Sequence, residues 1–273
     1  MAERIGRLAV RSLYHEVALH PKPGLVSPMD NGSHADMNMA TFFRSLFALR
    51  HYFPAIARAG SRNSGFAELQ RLGIQAEREM LAATGGVNTH RGAIFNLGLL
   101  CASAALSAAV GEPMTPEALC RRVAQRWGRD ILAAGHAAPE SHGLEMSRRH
   151  GAAGARAQAA AGFPDVMEGS LPAYREALSA TGDPRRAALQ ALFVLMARLE
   201  DSNLLWRGGP DGLGFARSRA RNFLSAGGVL ARDWLAHARD IERAFVARRL
   251  SPGGSADLLA VTLFLHASPA ERS

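Results

Sequence analysis

Residues 84–92 read Thr-Gly-Gly-Val-Asn-Thr-His-Arg-Gly and run directly into the apolar stretch Ala93–Val110, Ala-Ile-Phe-Asn-Leu-Gly-Leu-Leu-Cys-Ala-Ser-Ala-Ala-Leu-Ser-Ala-Ala-Val. The sequence is rich in alanine and poor in β-branched residues, which favours helices. We therefore predict a glycine-rich loop that opens into an apolar helix. Such a loop is a good anion site, because free backbone N–H groups and the helix dipole point at it. Its spacing matches neither a Walker A motif nor a dinucleotide-binding fingerprint. An ordinary turn would not need His90 and Arg91 at its exit.

The same helical period recurs along the chain, with no period-two strand pattern and no Asn-Gly hairpin. The predicted helices cover residues 4–19, 36–49, 66–83, 93–110, 113–126, 151–162, 171–180, 183–205, 213–225, 229–249 and 256–266. Thr115 is the predicted N-cap of the helix that begins at Pro116. No repeat or Pro/Ser-rich linker divides the chain. We predict a single all-α domain over residues 1–273, with about ten helices.

Composition limits the partners of the chain. It has 273 residues, 48% of them hydrophobic, a formal net charge of +8 and a pI of about 10.7. Anionic ligands suit that charge, but the arginines occur singly or in pairs, so no basic nucleic-acid arm is evident. Cys101 and Cys120 are expected to be buried thiols in a reducing compartment. With no signal sequence, and an apolar run at Leu97–Val110 too short to span a bilayer, we expect a soluble cytoplasmic protein.

Residues 20–36 form a second dense segment. Three prolines and two glycines predict a stiff, non-helical loop. Lys22 is the only lysine in the chain, which suggests a site where a compact ammonium is needed and an arginine would not fit. The alternative is a surface loop with an accidental lysine. The loop would hold four ionisable side chains in fixed positions: Lys22, Asp30, His34 and Asp36.

Two carboxylates fall on the apolar faces of predicted helices. Glu16 continues the inward stripe of the first helix, although it could also reach solvent at the helix end. Glu77 shares an apolar face of the helix over 66–83, whereas Glu79 lies on the opposite side and is expected to be solvated. Two further glycine-bearing clusters follow core helices. We predict that the four loops at 20–36, 84–92, 201–209 and 251–257 gather around one cleft.

These clusters supply carboxylates (Glu16, Asp30, Asp36, Glu77 and Asp201) and cations (Lys22, His34, His90, Arg91 and Arg207). Oxygen ligands favour Mg²⁺ over Zn²⁺. His136 and His142, with Glu140, match no zinc spacing and are expected to be solvated loop residues. Neither cysteine sits in a turn that would expose it as a nucleophile. The residues alone predict a helical enzyme acting on a Mg²⁺-bound phosphorylated nucleotide.

Five motifs, in order along residues 12–267, add a family resemblance. They are Pro-Lys-Pro-Gly-Leu-Val from 21, Gly-Ser-His-Ala-Asp-Met from 32, Thr-Gly-Gly-Val-Asn-Thr-His-Arg-Gly-Ala-Ile-Phe from 84, Asp-Ser-Asn-Leu-Leu-Trp-Arg-Gly-Gly from 201 and Ser-Pro-Gly-Gly-Ser-Ala-Asp-Leu-Leu-Ala from 251. The chain resembles the triphosphoribosyl-dephospho-CoA synthase family. Arg91 stands where the family usually has lysine, and Gln158 where it usually has glutamate, which puts a catalytic use of position 158 in doubt.

The resemblance implies that ATP and 3′-dephospho-CoA react to give 2′-(5″-triphosphoribosyl)-3′-dephospho-CoA and adenine, with Mg²⁺ on the triphosphate. A separate transferase would place the product on the acyl-carrier protein of malonate decarboxylase or citrate lyase. General similarity favours malonate decarboxylase. No nucleic acid or membrane is implied, and a homo-oligomer is compatible with this function.

The resemblance also suggests roles for the site residues. Glu77 or Asp201 would be the base or stabilise an oxocarbenium-like ribose, and the other would bind the metal with Asp30. His34 and Asp36 would orient the ribose or the acceptor. The expected substrate-binding residues are Lys22, Asn88, Thr89, His90, Arg91, Asn203, Arg207 and Ser255.

Three other functions remain open from the sequence. The same site could use water as acceptor, which would make the protein an N-glycosidase of ATP or a related nucleotide. The basic pI also fits a helical nucleic-acid-binding protein, although the dispersed arginines and inward carboxylates argue against it. A structural scaffold would have little use for four glycine-rich polar loops.

Overall fold

The computed structural model describes residues 1–134 and 154–268, and every regular element within these ranges is a helix. The α-helices, numbered in chain order, are α1 Ala2–Val17, α2 Met39–Leu49, α3 Tyr52–Ser61, α4 Phe66–Thr84, α5 Arg91–Ala109, α6 Pro116–Ala134, α7 Ala155–Ala160, α8 Leu171–Thr181, α9 Pro184–Arg198, α10 Ser202–Ser225, α11 Trp234–Ala247 and α12 Gly253–Ala267. A π-helical turn, Val166–Ser170, precedes α8, and a 3₁₀ turn, Gly228–Leu230, precedes α11. The predicted all-α fold is confirmed.

Helix α5 lies at the centre of the fold. Between Ala93 and Ser107 every residue except Phe95 is buried, as expected for a helix that is apolar all round. It packs against α1, α3, α4, α6, α7 and α12. Its 19 residues and mean hydropathy of 1.7 are enough to cross a membrane, contrary to the expectation of too short a run, but 78% of that window is buried inside the protein. These contacts identify α5 as a core helix.

Small residues let α3 approach its neighbours closely. A Cβ on Gly60 would overlap the backbone of Ala102 on α5, and one on Gly98 would overlap the phenol of Tyr52. The Tyr52 hydroxyl instead donates a hydrogen bond of 3.0 Å to the carbonyl of Ile94. Because α5 is held this tightly, the residues at its N-terminus have fixed positions.

Most predicted helices are present, and the second ends at Leu49 as predicted, but one helix was missed and two boundaries were wrong. No helix was predicted over α3, in whose first turn Pro54 lies, where the missing N–H of proline would have had no partner. The helix predicted to begin at Asp36 starts at Met39, where Asn38 and Thr41 form a capping box. The helix predicted over 183–205 is two helices, because α9 ends at Arg198 and Asp201 caps the start of α10.

Helix α10 also replaces the loop predicted over 201–209. It begins at Ser202 and bends at Gly209, whose φ of 59° is outside the helical region, just before Pro210. Other local predictions are confirmed: Thr115 accepts a hydrogen bond of 3.3 Å from the N–H of Ala118, and Cys101 and Cys120 are free and buried. The predictions for His136, Glu140 and His142 lie outside the described residues.

The close approach of α3 and α5 predicts an unusual result for a helical glycine. Gly60→Ala should lower the free energy of unfolding by about 1–3 kcal/mol, although alanine is the better helix former, because the added methyl meets the Ala102 backbone. Gly214→Ala is the matched control, since a Cβ there meets no atom within 4 Å, and it should raise stability by about 0.5–1 kcal/mol. Urea unfolding measures both. Equal stabilisation by the two changes would contradict the packing described.

Candidate active site

One large cleft, with a volume of about 1850 Å³, takes its lining from all four glycine-bearing segments. Ligand pockets for a single small molecule usually measure about 300–1,000 Å³, so this cleft has room for two nucleotide-sized ligands. The predicted gathering of the four segments is therefore confirmed. The predicted site residues that line it are Lys22, His34, Asp36, Glu77, Asn88, Thr89, His90, Arg91, Asp201, Asn203 and Arg207, whereas Ser255 and Asp30 do not.

Lys22 is a buried member of an ion pair. Its Nζ donates to Oε1 of Glu16 at 2.7 Å and to the Glu16 carbonyl at 2.9 Å, and its backbone N–H donates to Glu242. The alternative interpretation of Lys22 as an accidental surface residue is thus wrong. Glu16 points inward and is paired rather than solvated. The expectation of a free ammonium for phosphate also needs correction, because Glu16 already neutralises the charge at the base of the cleft.

His90 is an uncharged residue rather than a cation. Burial, followed by the nearby charge of Lys22, lowers its pKa to about 3. Nδ1 lies 2.6 Å from the Ser45 hydroxyl, and the ring of Phe42 lies edge-on to the imidazole. The expectation that His90 adds a positive charge for phosphate is corrected, since a buried imidazole without a carboxylate partner loses its proton. A neutral His90 can still form hydrogen bonds to a ligand.

His34 and Arg207 tie the 20–36 segment to the rest of the cleft. The Arg207 guanidinium donates to Nδ1 of His34 at 3.0 Å and to the carbonyls of Ser33 and Arg249. Since arginine only donates, the proton of His34 is on Nε2, which lies 2.9 Å from the Ser251 hydroxyl. Burial and then the charge of Arg207 lower the pKa of His34 to about 4. His34 is therefore also neutral, while Asp36 beside it is largely exposed.

Asp201 bridges two helix N-termini. Its Oδ1 accepts from the N–H groups of Asn203 and Leu204, and its Oδ2 accepts from both the N–H and the hydroxyl of Ser255, at 2.8 and 3.0 Å. A carboxylate offers about four acceptor positions, so these bonds use them all. This corrects two expectations: Asp201 is not available as a base or metal ligand in this arrangement, and Ser255 bonds to Asp201 rather than to substrate.

Glu77 and Arg91 face each other across the 84–92 loop. Arg91 is ion-paired with Oε1 of Glu77, and both side chains are partly exposed in the cleft. The Asn88 side chain accepts from the N–H of Arg91 at 3.1 Å and so shapes the loop exit. Glu79 is exposed, as predicted. A carboxylate and a guanidinium thus stand together at the N-terminus of α5.

Asp257 was missed by the sequence prediction. It lies against Gly92, where any Cβ would overlap its carboxylate, and accepts from the N–H of Ala93. Its pKa is raised well above the usual value, first by burial and then by the like charges of Glu16 and Asp201. Asp257 opens into the cleft and has no ion-pair partner among the described residues. The motif that contains it was visible in the sequence, but nothing there favoured Asp257 over Ser255.

Several buried polar atoms of the cleft lack partners among the described residues. They are Oγ1 of Thr89, Nε2 of His90, NH1 of Arg156 and both carboxamide atoms of Asn96. Buried polar atoms in native proteins are almost always hydrogen-bonded, so unpaired atoms at a cleft indicate ligand contacts. Sequence reasoning missed Asn96 and Arg156, because an asparagine in an apolar helix and an isolated arginine carry no local signal.

The predicted metal-binding set of Glu77, Asp201 and Asp30 is not brought together. Asp30 is exposed, and its Oδ1 accepts from the N–H of Gly32. Among the described residues it lies instead with His20 and Glu242, whose ligand atoms are within 4.8 Å of one another and of Asp30. The separation follows from the turn at 30–32, which points Asp30 away from the cleft lining.

Gln158 has a structural partner. Its amide nitrogen donates to Asp165 at 2.8 Å, and the N–H of Asp165 donates back to its Oε1 at 3.3 Å. Asp165 in turn is ion-paired with Arg198. This network fixes α7 at the edge of the cleft and uses the polar groups of position 158.

Fold and site together define an all-helical protein with one large cleft among its described residues, built where glycine-rich segments meet helix N-termini and lined by both polar and apolar side chains. Residues 2–273 match the family described as ATP:dephospho-CoA triphosphoribosyl transferase, and the chain belongs to this family.

Three curated relatives are similar over nearly the whole chain. The probable 2-(5″-triphosphoribosyl)-3′-dephosphocoenzyme-A synthase of Acinetobacter calcoaceticus is 43% identical over 264 residues, which cover 97% of this chain and 90% of the relative. The synthases of that name from Pectobacterium atrosepticum and Klebsiella pneumoniae are each 41% identical over 279 residues, covering 98% of this chain and 90% and 92% of the relatives. No solved structure matches the chain.

The neutral state of His90 predicts how stability depends on pH. Its folded-state pKa of about 3 lies below the unfolded value. The stability that neutral His90 contributes is therefore fully present above about pH 6.5 and is lost as the pH falls toward 3. Between pH 7 and pH 5 the free energy of unfolding should fall by about 2 kcal/mol through this residue. Urea unfolding at both pH values measures this fall, which should be smaller in His90→Leu than in the unmodified protein.

Phe42→Leu is the control for this experiment, because it removes an edge contact to the same imidazole without removing the titrating group. It should lower stability by a similar amount at both pH values. An unchanged pH dependence in His90→Leu would contradict the neutral, buried assignment.

Proposed function

We propose that this protein transfers the triphosphoribosyl group of ATP to the 2′-hydroxyl of 3′-dephospho-CoA. The glycosidic bond from C1′ to N9 of ATP breaks, and a bond from C1′ to the acceptor oxygen forms. The hydroxyl loses one proton and the leaving adenine gains one, so the reaction is balanced in protons. The observation that supports this most is the cleft of about 1850 Å³ formed by the four segments that carry the five family motifs, in a chain similar to these synthases along 97–98% of its length.

The electrostatics of the cleft suit the substrates. The N-termini of α5, α10 and α12 meet there, where Asp201 and Asp257 bind N–H groups of all three, so the helix dipoles offset the charge of these carboxylates. Arg91, Arg207 and Arg156 also line it. With Lys22 already paired to Glu16, we assign the triphosphate and diphosphate contacts to these arginines and to Asn88, Thr89 and Asn203.

The carboxylate that acts in the reaction is, in this proposal, Asp257. Asp201 has no free acceptor position, whereas Asp257 opens into the cleft, and its raised pKa suits a group that must take a proton. An anionic Asp257 would also stabilise positive charge on a ribose that reacts through an oxocarbenium-like state. Asp36, which is largely exposed next to neutral His34, would orient a sugar hydroxyl, since both ring nitrogens of His34 already have partners.

Mg²⁺ would neutralise the triphosphate when bound, which is its usual role with polyphosphates. Glu77 is the residue of the cleft that can hold Mg²⁺. Arg91 bonds only to Oε1 of Glu77, and no described residue bonds to the other oxygen. Glu77 would therefore hold the ion together with phosphate oxygens. We assign Glu77 to Mg²⁺ and leave Asp201 and Asp30 out of the metal site.

The product would serve as the precursor of the prosthetic group on an acyl-carrier protein, attached there by a separate transferase. We propose malonate decarboxylase as the enzyme served, with citrate lyase as the other candidate, and the cytoplasm as the compartment, since ATP and a CoA precursor are its substrates.

The direct test is incubation with ATP, Mg²⁺ and 3′-dephospho-CoA, followed by mass analysis. We expect free adenine and a CoA-linked product that keeps all three phosphates of ATP. Free triphosphoribose with unchanged 3′-dephospho-CoA would instead identify an N-glycosidase that uses water. Absence of adenine would overturn both readings.

The role of Asp257 makes a separate prediction. Asp257→Asn should lower the rate of adenine release about 10²–10⁴-fold, the usual contribution of a general base, while the affinity for ATP changes little. Quenched-flow product analysis and calorimetric titration of ATP measure the two quantities.

Glu77→Gln should instead raise the Mg²⁺ concentration needed for half-maximal rate.

Asp30→Asn is the matched control, because Asp30 is an exposed carboxylate outside the cleft lining and asparagine keeps an oxygen for the N–H of Gly32. Its rate should equal that of the unmodified protein. Near-normal adenine release by Asp257→Asn would remove Asp257 from the mechanism.

A further inference from the structure

Asn96 is an anomaly in the core helix α5. Its side chain is 1% exposed, yet neither Nδ2 nor Oδ1 has a hydrogen-bond partner among the described residues. Buried amides without partners destabilise a fold, and a leucine of similar size would avoid the loss. The side chain also lines the cleft, so a ligand can supply the missing partners. A cost to folding that a ligand removes is typical of a binding residue.

The position of Asn96 places it deep in the cleft, beside the proposed reaction centre. It is four residues after Gly92, so the two lie on the same face of α5, one turn apart. Gly92 lies directly against the carboxylate of Asp257. The apolar side chains of Leu13, Ile56 and Leu99 line the same cleft. A donor and an acceptor in partly apolar surroundings suit a flat, uncharged heterocycle better than a phosphate.

We propose that Asn96 recognises an adenine base, a specificity role that rests on the function proposed above. The carboxamide oxygen accepts from the 6-amino group of adenine, and the carboxamide nitrogen donates to the adjacent ring nitrogen, N1 or N7. This pairing satisfies both unpartnered atoms at once, and asparagine makes it with adenine elsewhere in proteins. ATP and 3′-dephospho-CoA both contain adenine, and the binding experiment below separates the two.

The test is calorimetric titration of two variants with three ligands, each added alone. Asn96→Leu keeps the number and branching of the side-chain heavy atoms and removes both polar atoms; Asn96→Ala is a second variant that adds no bulk. The ligands are ATP, 3′-dephospho-CoA and inorganic tripolyphosphate, which has no base. The adenine-containing ligand that Asn96 contacts should bind about 10–100-fold more weakly to both variants, and tripolyphosphate should bind as before.

A ligand-side change tests the same contact without a variant. Purine riboside triphosphate lacks only the 6-amino group of ATP. If Asn96 reads the base of ATP, this ligand should bind the unmodified protein about tenfold more weakly than ATP does, and Asn96→Leu should bind the two triphosphates equally. Weaker binding of 3′-dephospho-CoA alone would instead assign Asn96 to the acceptor's adenine, which also supports the proposal.

Thermal unfolding separates recognition from a structural role. Asn96→Leu should keep or raise the melting temperature, because a buried unpaired amide is removed. The control is Ser103→Ala on the same helix, whose buried hydroxyl donates to the Leu119 carbonyl at 2.9 Å. That variant should melt at a lower temperature with all three affinities unchanged.

Two results would overturn the proposal: unchanged affinity for both adenine-containing ligands in the folded Asn96 variants, or equal weakening of all three ligands, which would indicate general damage to the cleft. Failure of the proposed function looks different. The unmodified protein would then release no adenine, while the dependence of adenine binding on Asn96 would still be measurable.

Discussion

The carboxylate of Asp201 is the interaction on which the cleft depends. One of its oxygens caps the first turn of α10 and the other binds the first turn of α12, so a single side chain fixes two helix N-termini side by side. Asp257, on α12, then binds the N–H of Ala93 in the first turn of α5. Two acidic residues thereby bring three helix N-termini together, and the positive ends of three helix dipoles face one space. The positive ends of the three dipoles stabilise these two carboxylates, and the arginines that line the cleft add the positive charge that an anionic ligand needs.

Rigid support explains why such buried charges persist. Asp201 is stabilised by N–H and hydroxyl donors, and Lys22 by the carboxylate and carbonyl of Glu16, so each buried charge has partners that replace water. These partners belong to α1, α10 and α12, which pack on the core around α5. Reactive groups held by helix ends on a packed core keep their geometry better than groups on free loops.

The sequence predicted those features that depend on neighbours along the chain, and failed where partners come from far away. Helical period and glycine content located most helices and all four segments of the cleft. The break after Arg198 was missed because the apolar pattern continues through Leu204 and Leu205, and only the cap by Asp201 separates the two helices. Likewise, the motifs show that Asp201 and Asp257 are both present, but not that three backbone N–H groups and the Ser255 hydroxyl occupy the acceptor positions of Asp201. The charge of His90 also depends on tertiary burial, which its glycine-rich surroundings in the sequence concealed.

The distribution of charge in the cleft suggests how the proposed nucleotide substrate would be oriented. Arg91 is partly exposed at the N-terminus of α5, whereas the groups of the interior include neutral His90 and the uncharged amide of Asn96. Placing phosphates deep inside would leave them beside the like charge of Asp257, which has no ion-pair partner among the described residues. A base at the entrance would leave the buried donor and acceptor of Asn96 without partners. In the proposed reaction, the triphosphate would therefore lie toward the arginines and the base inside. The ribose that joins them would then lie next to Asp257, the carboxylate proposed to act when its bond to the base is cleaved.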